Sequence, residues 1–204
     1  FCFYYFLKQD KFFKAVIIAF FASLTKLTGI FLMPILFFHL YETYKKKAKI
    51  KKAEFLGRIA FSFLPLVALI SYMLYLDKNY GDPLYFIHVQ AGWGASRSVD
   101  KLILLYQVFY RYVKMMLTFN LNKFFYFTVI LEFLSGLIFL ILLIWAYIKK
   151  IRISYLLFAV PAYLLPTLTG TFSSMPRYVL LLFPCFIVLG MIKNLWLKRI
   201  LYLI

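Results

Sequence analysis

Residues 124–148 read FFYFTVILEFLSGLIFLILLIWAYI, an apolar run in which Glu132 is the one charged side chain. An α-helix rises about 1.5 Å per residue, so about 20 apolar residues cross the ~30 Å hydrocarbon core of a bilayer. The run therefore predicts a membrane-spanning helix. A carboxyl group at that depth is costly, so we expect Glu132 to pair with a neighbouring helix or with a cation inside the bundle.

The composition of the whole chain fits the same class. Its 204 residues are 65% hydrophobic and 22% aromatic, whereas soluble domains are roughly 45–50% apolar. The formal net charge of +17 comes from short basic clusters between apolar runs, a pattern that positive-inside topology explains without a nucleic-acid partner. We therefore predict an all-α, polytopic transmembrane bundle forming a single domain over residues 1–204. Because the chain begins within an apolar stretch at Phe1, we expect it to be an N-terminally truncated fragment.

The first apolar region, residues 12–41, is interrupted at residues 25–29, and two interpretations fit it. One is a single long, tilted helix, and the other is a hairpin of two short helices that meet at Lys26. Basic clusters flank both ends of the region: Lys8, Lys11 and Lys14 on one side, and Lys45, Lys46, Lys47, Lys49, Lys51 and Lys52 on the other. The positive-inside bias favours the hairpin, since both clusters are then cytoplasmic and Lys26 lies at the outer turn.

The remaining apolar runs continue the topology. We predict spans at 56–76, 124–148, 153–170 and 178–192. The cytoplasmic ends are marked by basic residues: Lys149, Lys150, Arg152, Lys193, Lys198 and Arg199. Because the chain changes sides of the membrane with each predicted span, Lys26 and Arg177 are predicted to lie on the same outer face.

The outer loop, about residues 77–123, is too long for a simple connection. Within it, polar and apolar residues separate onto two sides of a predicted helix. The polar side is Gln107, Arg111, Lys114 and Thr118, and the apolar side is Leu102, Leu105, Phe109, Tyr112 and Met116. We predict an interfacial amphipathic helix that begins at a Ser98 or Asp100 cap and ends near Asn120, with a tilted span as the alternative.

A lone arginine stands between the last two apolar runs, in Ser173-Ser174-Met175-Pro176-Arg177-Tyr178. The proline is suited to start a helix, so the motif fixes a cation at a membrane boundary. An anionic ligand is the simplest partner for such a charge, and a snorkelling anchor is the alternative.

Three stretches carry a family resemblance. They are residues 23–30 followed by Pro34, then residues 81–86 with Gln90 and Trp93, and then residues 173–178 running into Phe183-Pro184. Together they resemble the PIG-V-like mannosyltransferases. Lys26 stands where that family commonly has arginine, which keeps the charge but loses the bidentate guanidinium fork.

The resemblance implies a glycosyltransferase of the GT-C type that works on the extracytoplasmic side of the membrane. Its donor would be a polyprenyl- or dolichol-phosphate sugar, with mannose favoured, and its acceptor a lipid or glycan hydroxyl. It is an integral, multi-pass protein of the plasma membrane if bacterial, or of the endoplasmic reticulum if eukaryotic.

Candidate site residues follow from the motifs. Arg177 and Lys26 are predicted to bind the donor phosphate. The predicted substrate-binding residues are Gln90, Trp93, Ser174 and Tyr178, although Trp93 equally fits an interfacial aromatic belt. No metal site and no cofactor are predicted. We name no catalytic base, because the family's aspartate would precede Phe1 and because turn or capping roles suit Asp77, Asp82 and Asp100.

Two rival functions remain at this point. A lipid-linked sugar flippase or other transporter would use the same cations to guide a phosphate, but it should carry polar residues along the membrane midplane. A non-catalytic subunit of a glycosyltransferase complex would need no base of its own.

Overall fold

A computed structural model of the chain describes residues 1–46, 52–95, 97–118 and 124–192. The regular secondary structure of these residues is helical, without strands. The chain folds into two compact units, unit 1 over Phe1–Val99 and unit 2 over Asp100–Ile204. The all-α prediction is therefore confirmed. The predicted Asn120 cap and the basic residues Lys47, Lys49, Lys51, Lys193, Lys198 and Arg199 lie outside the described residues.

Unit 1 is built around a helical hairpin. Its described helices are α1 (Cys2–Lys8), α2 (Phe12–Thr25), α3 (Met33–Lys46), α4 (Lys52–Ser62), α5 (Leu64–Tyr80) and α6 (Tyr85–His88), with 3₁₀ segments at Leu27–Leu32 and Val89–Trp93. Phe12, at the start of α2, stacks on His39 in α3 with ring centroids 6.4 Å apart. The first 3₁₀ segment meanwhile folds against the end of α2. The two helices therefore run antiparallel and meet at Lys26, so the hairpin interpretation is confirmed.

Gly29 allows the close approach at this turn. A Cβ atom at this position would overlap the backbone of Ala22 and Ser23, which cannot rotate away as a side chain could. Lys26 itself is extended, with φ −154° and ψ 136°. It ends α2, and its carbonyl accepts a hydrogen bond from the Gly29 N–H at 2.8 Å. The turn thus combines one extended residue with one residue that lacks a side chain.

We expect Gly29→Ala to destabilise the protein by about 1–3 kcal/mol, the usual cost of overpacking a closely packed site. Gly57→Ala is the matched control, because no atom lies within 4 Å of a Cβ placed at Gly57 in α4. That control should be neutral or slightly stabilising, since alanine favours helix over glycine. Thermal unfolding of the two detergent-solubilised variants measures the difference, and equal melting temperatures would contradict the predicted packing.

The helix pair α4 and α5 returns along α2. Phe13 in α2 contacts Phe61 in α4 with centroids 5.2 Å apart, and α5 then packs beside α2. Beyond α5 the chain folds back, because Tyr72 in α5 contacts Phe86 in α6 at 6.0 Å. The C-terminal ends of α2 and α5 therefore lie at the same end of unit 1, where Lys26 follows α2 and Gly81 follows α5.

Unit 2 is a second helical bundle. Its described helices are α7 (Leu105–Thr118), α8 (Phe124–Ile148), α9 (Ile153–Thr167), α10 (Met175–Val179) and α11 (Phe183–Gly190). The predicted span at 178–192 is wrong as a continuous helix, because α10 ends at Val179 and α11 begins at Phe183. Pro184 explains the break, since it has no N–H to continue the hydrogen bonding of a preceding helix.

The amphipathic helix α7 is present, but it begins later than predicted. It starts at Leu105, where the Gln107 Oε1 accepts a hydrogen bond from the Leu104 N–H at 3.0 Å. Ser98 and Asp100 therefore lie too early in the chain to cap it. Val108 and Tyr112 are its buried residues, whereas Lys114 and Thr118 on the polar side are exposed.

Three helical stretches of the described chain are long and apolar enough to cross a membrane: Leu27–Lys45, Lys52–Tyr80 and Tyr126–Ile148. Phe12–Thr25 and Ile153–Thr167 are apolar but shorter. The stretch Tyr126–Ile148 also exposes large apolar side chains at helical spacing, at Phe127, Leu131, Leu134, Ile138, Ile141 and Ile144. Exposed apolar surface of this extent is compatible with a lipid environment.

Candidate functional site

The anchored turn is defined here as residues 170–178 of unit 2, which comprise the irregular segment before α10 and the start of that helix. Gly170 and Ser174 have positive φ angles of 84° and 64°. Glycine adopts this left-handed conformation freely, but serine does so at a cost that its surroundings must offset. Pro176 then lies in the first turn of α10, where a missing N–H costs no helical hydrogen bond.

Glu132 holds the anchored turn from within α8. Its Oε1 accepts a hydrogen bond from the Ser174 backbone N–H at 2.8 Å. Its Oε2 accepts one from the Tyr112 hydroxyl of α7 at 2.6 Å. Both carboxyl oxygens are therefore used inside unit 2, and the predicted pairing of Glu132 with a neighbouring helix is confirmed.

Tyr112 extends this network to the backbone before Ser174. Its oxygen accepts a hydrogen bond from the Phe172 N–H at 3.1 Å and lies 3.0 Å from the Thr171 Oγ1. Because the single Tyr112 proton goes to Glu132, the Thr171 hydroxyl is the donor in the second contact. Thr171 Oγ1 in turn accepts from the Ser173 N–H at 3.0 Å. The buried polar groups thus satisfy one another, as a low-polarity interior requires.

Apolar packing supports the same turn. Phe172 is fully buried, and its ring lies 4.9 Å from the Phe109 ring and 5.1 Å from the Tyr112 ring. The ring also packs on Gly136 of α8, where a Cβ atom would come within 3.0 Å of it. Arg111 donates a hydrogen bond from Nη1 to the Gly170 carbonyl at 2.9 Å. The anchored turn is therefore fixed by α7, by α8 and by its own buried ring.

Arg177 follows the held residue Ser174 by three positions, and its side chain is exposed. Its backbone N–H donates to the Ser174 carbonyl at 3.0 Å, so its position follows directly from the held residue. Its guanidinium carbon lies 5.4 Å from the centre of the Tyr178 ring, within cation–π distance. Across the described residues, no acidic side chain forms an ion pair with it. The guanidinium is therefore available to an anion from outside the protein.

Ser174 and Tyr178 flank that cation. The Ser174 hydroxyl makes no capping hydrogen bond to α10, and Tyr178 offers its half-buried ring to the guanidinium. Unit 2 therefore brings together three of the predicted site residues, Arg177, Ser174 and Tyr178.

The other three predicted residues lie in unit 1, with Lys26 at the turn after α2 and with Gln90 and Trp93 in the second 3₁₀ segment. Lys26 is exposed, and the Trp93 side chain is 68% exposed. Gln90 is held within the protein, since its Nε2 donates to the Phe86 carbonyl at 3.2 Å and its Oε1 accepts from Arg97. The prediction that Lys26 and Arg177 share one face stays a prediction.

The loop near Gln90 also contains an exposed acid–imidazole pair. Asp82 Oδ2 lies 2.6 Å from His88 Nδ1, and Asp82 Oδ1 accepts a hydrogen bond from the Leu84 N–H at 2.9 Å. The hydrogen bond from His88 is the main cause of a lowered pKa for the Asp82 carboxyl. Beside the pair, the rings of Tyr80 and Tyr85 stack in parallel with centroids 4.6 Å apart.

The sequence analysis did not identify the residues that form the hydrogen-bond network of the anchored turn or the Asp82–His88 pair. The helical pattern places Tyr112 on the apolar side of α7, and it gives Thr171 and the Asp82–His88 pair no joint role. One signal is present in each case, a polar-tipped tyrosine on an otherwise apolar stripe and an Asp-Pro turn six residues before a histidine. Metal-ligand clusters of three or more residues are absent from the described part of the chain.

Comparisons of the chain with protein-family models, with curated proteins and with solved structures found no match.

Proposed function

We propose that the protein is an integral, multi-pass membrane glycosyltransferase of the GT-C type. It moves a sugar, with mannose favoured, from a polyprenyl- or dolichol-phosphate donor to a hydroxyl group of a lipid or glycan acceptor. The transfer occurs on the extracytoplasmic side, in the plasma membrane of a bacterium or in the endoplasmic reticulum of a eukaryote.

One observation carries this proposal: Arg177 is exposed, and the turn that precedes it is held by hydrogen bonds from the Ser174 N–H to Glu132 and from the Phe172 N–H to Tyr112. Holding a turn this firmly around a solvent-facing guanidinium is more than a membrane anchor needs, because a snorkelling arginine works through a flexible side chain. A guanidinium on a backbone that is held in place suits recognition of phosphate oxygens.

The chemistry of the donor explains why a fixed cation is useful. As the bond between the sugar and the phosphate breaks, negative charge grows on the lipid phosphate. A preorganised guanidinium stabilises that charge more in the transition state than in the intact donor, which lowers the barrier. Arg177 is assigned this role.

The apolar surfaces fit the rest of the donor. A polyprenyl chain is a hydrocarbon that stays in the membrane while its phosphate lies at the boundary. The exposed apolar faces of the candidate spanning helices provide a suitable environment for such a chain. Trp93 offers an exposed indole face on which a sugar ring can lie.

A transfer assay tests the proposal. The intact protein is reconstituted in lipid vesicles with radiolabelled mannosyl-phosphoryl-polyprenol and a lipid and glycan extract of the source membranes. We expect label to enter the extract in a new glycosidic bond, and GDP-mannose alone should not support the transfer. Movement of the labelled lipid between leaflets without a new bond would instead identify a flippase, and no change at all would identify a non-catalytic subunit.

A further inference from the structure

The hairpin of unit 1 brings two lysine clusters that are far apart in the sequence to one end. Phe12, at the start of α2, stacks on His39 near the end of α3 with ring centroids 6.4 Å apart. The guanidinium carbon of Arg58 in α4 lies 5.5 Å from the centre of the Phe12 ring. Tyr44 of α3 contacts Phe55 of α4 with centroids 5.0 Å apart. The start of α2, the end of α3 and the start of α4 therefore lie together.

The helix α1 ends at the same place. Lys8 is its last residue, and the Lys11 N–H donates a hydrogen bond to the Phe6 carbonyl at 3.0 Å. The Lys14 Nζ atom in α2 lies 5.7 Å from the centre of the Phe6 ring. Because the chain turns tightly between α1 and α2, these three lysines lie beside the start of α2.

The basic end of unit 1 is defined here by five exposed lysines, which are Lys8, Lys11, Lys14, Lys45 and Lys52. Lys45 is the last residue of the candidate span Leu27–Lys45, and Lys52 is the first residue of the candidate span Lys52–Tyr80. The ends of a spanning helix lie where the hydrocarbon core meets the headgroups. The basic end is therefore at the depth of lipid phosphates.

The surroundings of the basic end suit an anionic lipid surface. The acidic residues near it are Asp10, Glu42 and Glu54, and Glu54 is paired with Arg58 at 2.7 Å. Among the described residues, the five lysines outnumber these carboxylates. Exposed tyrosines also occupy α1 and the end of α3, at Tyr5, Tyr41 and Tyr44. Tyrosine is enriched where a membrane meets water, because its ring is apolar and its hydroxyl is polar.

We infer that the basic end of unit 1 binds the headgroups of anionic phospholipids in the leaflet that it faces. Lysine ammonium groups form charge-assisted hydrogen bonds with phosphate oxygens, and basic clusters beside a spanning helix attract anionic lipids. The position of Lys45 and Lys52 at the ends of two candidate spans favours a lipid over a soluble anion, since a lipid headgroup is confined to that depth. This inference is independent of the proposed function, because it concerns unit 1 alone and no sugar takes part.

Native mass spectrometry of the intact protein in a non-ionic detergent tests the inference. The probes are phosphatidylglycerol and phosphatidylcholine with identical acyl chains. We expect phosphatidylglycerol to bind more tightly by a factor on the order of 10 or more, and added salt should weaken that preference by screening the charges. Inorganic phosphate at the concentration of the lipid should not displace it. Equal affinities for the two lipids, or displacement by phosphate, would overturn the inference.

Two variants remove charge from the two sides of the hairpin. The triple variant carries Lys8→Gln, Lys11→Gln and Lys14→Gln, and the double variant carries Lys45→Gln and Lys52→Gln. A lysine near an anionic surface strengthens binding about fivefold, so the affinity for phosphatidylglycerol should fall on the order of 100-fold in the triple variant and about 25-fold in the double variant. The affinity for phosphatidylcholine should not change. Full affinity for phosphatidylglycerol in either variant would show that the two clusters do not form one surface.

Two further variants control for charge and for folding. Lys78→Gln with Lys101→Gln removes two exposed lysines away from the basic end, and it should bind phosphatidylglycerol like the wild type. Lys45→Arg with Lys52→Arg keeps both charges and should also retain the affinity. A loss in the first control equal to that in the double glutamine variant would overturn the inference, as would an equal loss in the arginine variant. Thermal unfolding identifies any variant that is not folded, and the other side of the hairpin then provides the test.

Discussion

Arg177→Ala is expected to reduce sugar transfer on the order of 100- to 1,000-fold, the range found when one preorganised charge-stabilising donor is removed. The reason is electrostatic, since the departing lipid phosphate then develops its charge without the guanidinium. Arg177 is exposed and forms no ion pair within the described chain. Membrane insertion and thermal stability should therefore remain those of the wild type.

Two variants make the Arg177 experiment specific. Arg177→Lys keeps the charge but loses the planar fork, so its rate should lie between those of the wild type and Arg177→Ala. Arg152→Ala removes an exposed arginine at the opposite end of α9 from the anchored turn, and it should transfer sugar normally. A wild-type transfer rate in Arg177→Ala would refute the phosphate role.

Glu132→Ala is expected to lower the free energy of unfolding by about 2–4 kcal/mol. The substitution leaves the Ser174 N–H and the Tyr112 hydroxyl without their acceptor, and each unsatisfied polar group away from water costs about 1–3 kcal/mol. The anchored turn should loosen, so sugar transfer should fall as well. Thermal unfolding in detergent and the transfer assay measure the two effects.

A double-mutant cycle isolates the network. Glu132→Ala and Tyr112→Phe should be non-additive, because the two side chains share one hydrogen bond and groups in contact couple by about 0.5–3 kcal/mol. Glu54→Ala is the matched control, since Glu54 pairs with Arg58 at 2.7 Å on an exposed helix face. Such a pair contributes only about 0–1 kcal/mol. Additive effects in the cycle would show that Glu132 does not hold the turn through Tyr112.

Sequence patterns predicted the helix and the turn that depend on interactions between residues close in the sequence. The apolar run 124–148 predicted α8, and its bounds match those of the structure. The interruption at residues 25–29 together with the flanking lysines predicted the hairpin at Lys26. Both depend on interactions close in sequence, namely helix length and the backbone conformation of a turn.

The contact partners that escaped prediction are distant in the sequence. Glu132 meets residues 20 and 42 positions away, and Phe172 meets Tyr112 from 60 positions away. No periodicity encodes such pairs, so a tyrosine on an apolar stripe signals a buried hydroxyl without identifying its partner. The late start of α7 and the break between α10 and α11 have local causes instead, because the contact of Gln107 with Leu104 and the missing N–H of Pro184 outweigh apolar content there.

Only some of the candidate site residues could be recognised from the sequence. Arg177 stands out in the sequence because a charge between apolar runs is rare. The Asp82–His88 pair does not, because an Asp-Pro turn is a common loop feature. Its chemical interest appears once the two side chains are seen at hydrogen-bond distance.

Quantifying both products of the reaction decides whether this protein transfers sugar from a lipid phosphate with the help of Arg177. The intact protein and its Arg177→Ala variant are each incubated in vesicles with mannosyl-phosphoryl-polyprenol and the acceptor extract. Mass spectrometry then counts free polyprenyl phosphate and mannosylated acceptor. We predict equal amounts of the two products from the wild type and almost none of either from the variant. The absence of both products from the wild type would contradict the proposed function, and equal yields from the two proteins would contradict the role of Arg177.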